Sequence, residues 1–215
     1  MNTDRLIELL SVDLDSVSRR QLGRTLIVAI LASGAFAFAL MLVIVGPRHD
    51  LGSTVHLEWV AIKLLFSLSI IGIGVPLLNK SVRPGLEDKT NWAMILVPFI
   101  VAIAVAVAVL LGQPPAWREM LRGATTVSPL RCLLFIVVFA AGPLMSVIYF
   151  LRQGAPTRLR LCGAIAGIVA GGLGATAYAF NCTSDSIPFI AIWYGTAIAL
   201  CAFIGAQLGP RVLRW

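Results

Sequence analysis

The side chains able to do chemistry are few and widely spaced in this 215-residue sequence, and cysteine is the most promising type among them. None of the four cysteines sits in a C-x-x-C pair, so neither a zinc site nor a thioredoxin-like motif is signalled. Cys132 and Cys182 differ from Cys162 and Cys201, because the apolar pattern set out below puts the first two at the outer face of a membrane. Two thiols on an oxidising side can join as a disulfide, hold a thiophilic metal or react with an oxidant. His49, His56, Asp50, Glu58 and Asp185 fall on the same side and could assist, which makes Cys132, Cys182, His49, His56 and Asp185 the candidate metal ligands. Their spacing matches no particular metal motif. Cys162 and Cys201 read as helix-packing residues. The sequence has no H-E-x-x-H, no G-x-S-x-G and no paired acids within its apolar runs, so it reads as a non-enzyme that calls for no cofactor.

The elements that must position these residues are membrane helices. The chain is 59% hydrophobic and 13% charged, against about 25% charged in ordinary soluble domains. A helix rising ~1.5 Å per residue needs about 20 apolar residues to cross a ~30 Å hydrocarbon core. Six runs meet this requirement: 26–45, 57–78, 92–112, 132–151, 161–180 and 187–208. Lipid offers no partner to an unpaired backbone amide, so the runs should be helical. The fold class is therefore all-α: a six-helix transmembrane domain over 26–208, preceded by a cytoplasmic segment 1–25 and followed by a tail 209–215.

Orientation follows from the Lys and Arg residues of the short loops. Arg5, Arg19, Arg20, Arg24, Lys80, Arg83, Lys89, Arg152, Arg158, Arg160, Arg211 and Arg214 gather on one side, and only Arg48, Arg118, Arg122 and Arg131 on the other. The richer side should be cytoplasmic, with both termini on that side. The net charge of +7 is then a topology signal, and no basic stripe interleaved with aromatics points to nucleic acid. Trp59, Trp92, Trp193 and Trp215 fall near span ends, where an indole suits the headgroup level. Lys63 and Glu58 are the only ionised groups within the spans. The expectation for Lys63 is a stem that snorkels to the outer headgroups or pairs with Glu58. Pro76, Pro98 and Pro143 are expected to kink their helices. Gly163, Gly167 and Gly171, with Gly205 and Gly209, have the four-residue spacing that lets helix backbones approach closely, either within one bundle or between two copies.

The first 25 residues have a different character. Thr3 can cap a helix starting at Asp4, and Leu6, Leu10, Leu14 and Val17, with Ile7 beside them, make an apolar stripe on one face. Membrane-surface helices usually carry basic polar faces, whereas Asp4, Glu8, Asp13 and Asp15 make this one acidic. An interfacial helix and a helix offered to a soluble partner's groove are both open readings, with the acids favouring the partner.

The opening TDRLIELLSVD, the Arg19–Arg20 pair, the stretch NCTSDSIPFIAIWYG and the ending LGPRVLRW resemble the bacterial negative-regulator-of-sigma-F family of membrane anti-sigma factors. The resemblance spans the whole chain, and Cys182-x-x-Asp185-Ser186-x-Pro188-Phe189 is its most specific part. It implies an anti-sigma factor that holds an extracytoplasmic-function sigma factor at the membrane and releases it on an envelope signal. The docking residues would then be Asp4, Leu6, Ile7, Leu9, Leu10 and Asp13, and the sensing residues Cys132 and Cys182. Asn181 and Ser184 stand where the family pattern leads one to expect His and an acid, which weighs toward thiol chemistry over direct metal ligation. The competing class is a small six-helix transporter or permease subunit, which would leave the acidic arm without a use.

Overall fold

A computed structural model describes residues 19–49, 54–81, 91–112, 129–152 and 158–213. The expected docking residues Asp4, Leu6, Ile7, Leu9, Leu10 and Asp13 lie outside the described residues. Among the described residues six helical segments are long and apolar enough to cross a membrane. Helix α1 runs over Arg19–Ile44 and α2 over Thr54–Ser81. Helix α3 opens with a 3-10 turn, Trp92–Leu96, and continues as an α-helix over Val97–Gly112. Helices α4 and α5 span Pro129–Arg152 and Leu159–Ala179. Helix α6 covers Ile187–Val212, with a π-turn at Ile190–Tyr194 near its start.

The helix ends depart from the apolar runs. Helix α1 starts at Arg19 rather than Leu26, and α6 continues through Val212 with Pro210 inside it. Backbone hydrogen bonding carries a helix past the point where its side chains stop being apolar. Pro98 sits at the second position of the α-helical part of α3, just after the 3-10 turn, where a missing N–H costs little. Pro76 and Pro143 lie inside α2 and α4.

Helix α5 is the most enclosed of the six and α3 the least. The reason is legible in α5's composition, which is rich in Gly and Ala on every side. Gly163 and Gly205 lie so close that a methyl on either would overlap the other's carbonyl oxygen, and a methyl on Gly167 would overlap that of Cys201. The glycine spacing therefore packs α5 against α6 within one chain. Cys201 is buried at this contact and Cys162 in the adjoining core, as packing residues should be. Between α2 and α5 a polar rung joins close glycine contacts: Thr176 Oγ1 lies 3.0 Å from Ser67 Oγ and 2.8 Å from the Gly172 carbonyl, while Gly172 and Gly74 face Ile71 and Val169 across the seam.

The core divides toward the two ends of the bundle. One cluster joins Leu26, Leu77, Leu78, Leu151, Cys162 and Leu213, where α1, α5 and the α3 entry begin and α2, α4 and α6 finish. The other contains Met41, Cys132, Phe139, Tyr178, Cys182 and Tyr194. Successive helices thus alternate in direction, and the second cluster gathers the end of α1, the starts of α2, α4 and α6, and the turn after α5.

Candidate functional site

The turn between α5 and α6 organises the second end of the bundle. Past Ala179 the chain keeps one more helical bond, from the Cys182 amide to the Tyr178 carbonyl at 3.1 Å. This places the Cys182 side chain back over the helix end, against the first turn of α4. Cys132 and Cys182 are 0% and 1% exposed and pack in one buried cluster, their thiols close enough to interact. Both are free thiols. Two cysteines 50 positions apart are thus brought together by an α4–α5 packing that the sequence left undetermined.

Beneath the thiols lies an aromatic floor. Phe135 of α4 stacks with Phe139 and with Tyr178 of α5, at centroid distances of 5.8 and 5.9 Å. Tyr178 in turn meets Tyr194 of α6 at 6.4 Å. Tyr194 is fully buried, and its hydroxyl faces the Cys182 sulfur without satisfying hydrogen-bond geometry to a protein atom.

Above the thiols sits an ionic clamp. Lys63 of α2 is 0% exposed, and its ammonium donates to the Cys182 carbonyl at 2.8 Å and to Asp185 Oδ1 at 2.9 Å. The expectation that Lys63 snorkels to the headgroups or pairs with Glu58 is therefore corrected: it points inward, and its acidic partner is Asp185. The physical reason is that the bundle offers it a carboxylate and a carbonyl within one stem length, so it need not reach water. Arg48, from the loop after α1, donates through Nη1 to the same carbonyl and to both Asp185 oxygens, each at 3.3 Å. His56 Nδ1 lies 3.1 Å from Asp185 Oδ2 and 3.1 Å from Arg48 Nη2. The Arg48 amide donates to the Phe180 carbonyl at 3.1 Å, and Asn181 Nδ2 donates to the Gly46 carbonyl at 2.8 Å. The α1–α2 loop is thereby stitched to the α5–α6 turn.

These contacts set the protonation of the two groups outside the spans. Burial pushes the Asp185 carboxyl up, but the Lys63 hydrogen bond and charge, the His56 contact and the Arg48 charge outweigh it and hold the group below its ordinary value. The Cys182 thiol is drawn below the usual thiol range, first by the hydrogen bond from Cys132. Burial opposes this, while the Lys63 charge, the Tyr194 hydroxyl and the Ser184 amide add to it.

The five candidate metal ligands do not converge. Cys132 and Cys182 form one pair, His56 and Asp185 another, and His49 is exposed. Among the described residues no group of three or more His, Cys, Asp or Glu side chains could hold a metal ion. Arg48, Lys63 and Tyr194 were not singled out as site residues from the sequence. An ammonium inside an apolar run together with a lone acid in the turn 181–186 was the available signal.

Fold and site together define a six-span membrane protein whose buried ionic groups are concentrated around a thiol pair at one end of the bundle. The chain belongs to the family described as negative regulator of sigma F, which it matches over residues 10–215. It is 31% identical to the probable anti-sigma-F factor of Azospira oryzae and 27% identical to the anti-sigma-F factor of Caulobacter vibrioides, in each case over the full length of both chains. No solved structure matches it.

Proposed function

We propose that this protein is a membrane anti-sigma factor that sequesters an extracytoplasmic-function sigma factor at the bacterial inner membrane and releases it when an envelope signal reaches Cys132 and Cys182. The observation that carries the reading is the meeting of the two thiols at the junction of α4 with the α5–α6 turn, in a chain whose curated relatives are named anti-sigma-F factors. The loop charges supply the orientation: twelve Lys and Arg residues on the side of the termini favour a cytoplasmic N-terminus, which turns the thiol end outward.

Moving a partner from ~99% bound to ~99% free takes about 5.5 kcal/mol of differential docking energy. A thiol joined to an exposed loop could not deliver that. A thiol pair between packed helices can: an envelope oxidant that takes two electrons from the pair, with two protons released, leaves an S–S bond that shifts α4 against α5 and α6 as bodies. The docking element is the acidic amphipathic segment with Asp4, Leu6, Ile7, Leu9, Leu10 and Asp13, an apolar stripe suited to a groove on the partner. The transporter reading is the weaker one, since its single ionisable candidate, Lys63, is committed to Asp185 and the Cys182 carbonyl.

Capture of each extracytoplasmic-function sigma factor of the host in turn tests the docking element. Membranes holding the intact chain should retain one such factor, and Leu6→Asp or Leu10→Asp should abolish retention while the protein still inserts. Retention by either variant would remove the stripe from the account.

A further inference from the structure

We propose that Lys63 is the positioning residue of the thiol pair: its buried ammonium holds the 182–185 turn in the one register that lets Cys182 meet Cys132. The assignment rests on the reading of those two cysteines as the sensing pair.

Lys63 lies about 10 Å along α2 from His56, inside the span, where an ionised side chain is costly and is kept only with a specific partner. An apolar residue at this position would avoid that penalty, so stability does not account for a lysine here. What the ammonium gains is specific. It bonds the carbonyl of Cys182 itself and the carboxylate three positions later, so a single side chain grips both ends of the turn. The grip is one-sided: Cys132 lies within α4, whereas Cys182 lies past the end of α5, its amide keeping one bond back to the Tyr178 carbonyl and its own carbonyl held by Lys63. Arg48 reaches the same two acceptors from the α1–α2 loop, but at 3.3 Å, against 2.8 and 2.9 Å for Lys63. Lys63 is therefore the shorter and more deeply buried of the two anchors. Its stem crosses from α2, which packs along α5, so the turn is referenced to the bundle rather than to a neighbouring loop.

A short bifunctional alkylator reads this geometry. Dibromobimane joins two thiols only when they lie within its span; two C–S bonds form, two C–Br bonds break, and two bromides and two protons leave. In membranes holding the full chain, mass spectrometry should find the bridge between peptides containing Cys132 and Cys182. K63M should lower the bridged yield at least tenfold, while monobromobimane still alkylates each thiol, and K63R should recover at least half of it. Loss through simple unfolding would raise monofunctional alkylation at Cys162 and Cys201 as well, so that split separates positioning from collapse. D185N, which leaves the Lys63 bond to the Cys182 carbonyl, provides a second variant and should lower the yield several-fold. Bridging by K63M at the wild-type yield, or by D185N should K63M fail to accumulate, would overturn the assignment. If bridging needs Lys63 but the sigma-factor response survives loss of both cysteines, the positioning role stands and the sensing role falls.

Discussion

The glycine contact between α5 and α6 gives the sharpest quantitative expectation. A Cβ at Gly167 would overlap the Cys201 carbonyl oxygen and come within 2.7 Å of its carbon and 2.8 Å of the Ala202 Cα. All three are backbone atoms, so no rotamer change relieves the clash, and α5 and α6 must separate. Overpacking of this kind costs about 3 kcal/mol, the upper part of its usual range, and the better helix propensity of alanine returns about 1 kcal/mol. G167A should therefore lose about 2 kcal/mol, which at about 2–4 °C per kcal/mol for a chain of this size lowers the unfolding midpoint by about 4–8 °C. Gly72 is the control, because nothing lies within 4 Å of its Cβ position; G72A should unfold at or slightly above the wild-type temperature. The assay is thermal unfolding of both purified variants in one mild detergent. A G167A midpoint equal to that of G72A would refute the packing reasoning.

The clamp and the aromatic floor yield further expectations. Because Asp185 is held below its ordinary value near ~3.9, the stability it supplies is complete above that pH and drains away as pH falls through the lower native value. The detergent unfolding midpoint should accordingly drop on acidification from about pH 4 downward, and D185N should flatten that limb while lowering the neutral-pH plateau. Tyr194 carries a buried hydroxyl with no partner atom in hydrogen-bond geometry, so Y194F should be as stable as wild type or slightly more so.

The six spans were legible because bilayer thickness imposes a length that composition alone can meet, and the observed helices follow the apolar runs to within a turn at most ends. The α5–α6 contact was half legible. Glycines at four-residue spacing announce close approach, but only the bundle decides whether the other helix belongs to the same chain. The thiol pair was readable as two cysteines sharing one side of the membrane, and its contact was not, since that depends on how α4 lies against α5. The clamp escaped because its parts are Arg48, His56, Lys63 and Asp185, contributed by a loop, a helix and a distant turn. Read singly, Lys63 looked able to satisfy itself at the headgroups. In the bundle the Asp185 carboxylate and the Cys182 carbonyl lie within reach, and the side chain turns inward.

The most direct measurement is transcription from the captured sigma factor's own promoter, in cells carrying either the intact protein or the C132S/C182S double variant, exposed to thiophilic metals and to oxidants. The account predicts induction with the intact protein and none with the double variant, with constitutive expression when the protein is deleted. Equal induction with and without the cysteines would contradict the sensing role, and a promoter indifferent to deletion would contradict the anti-sigma function itself.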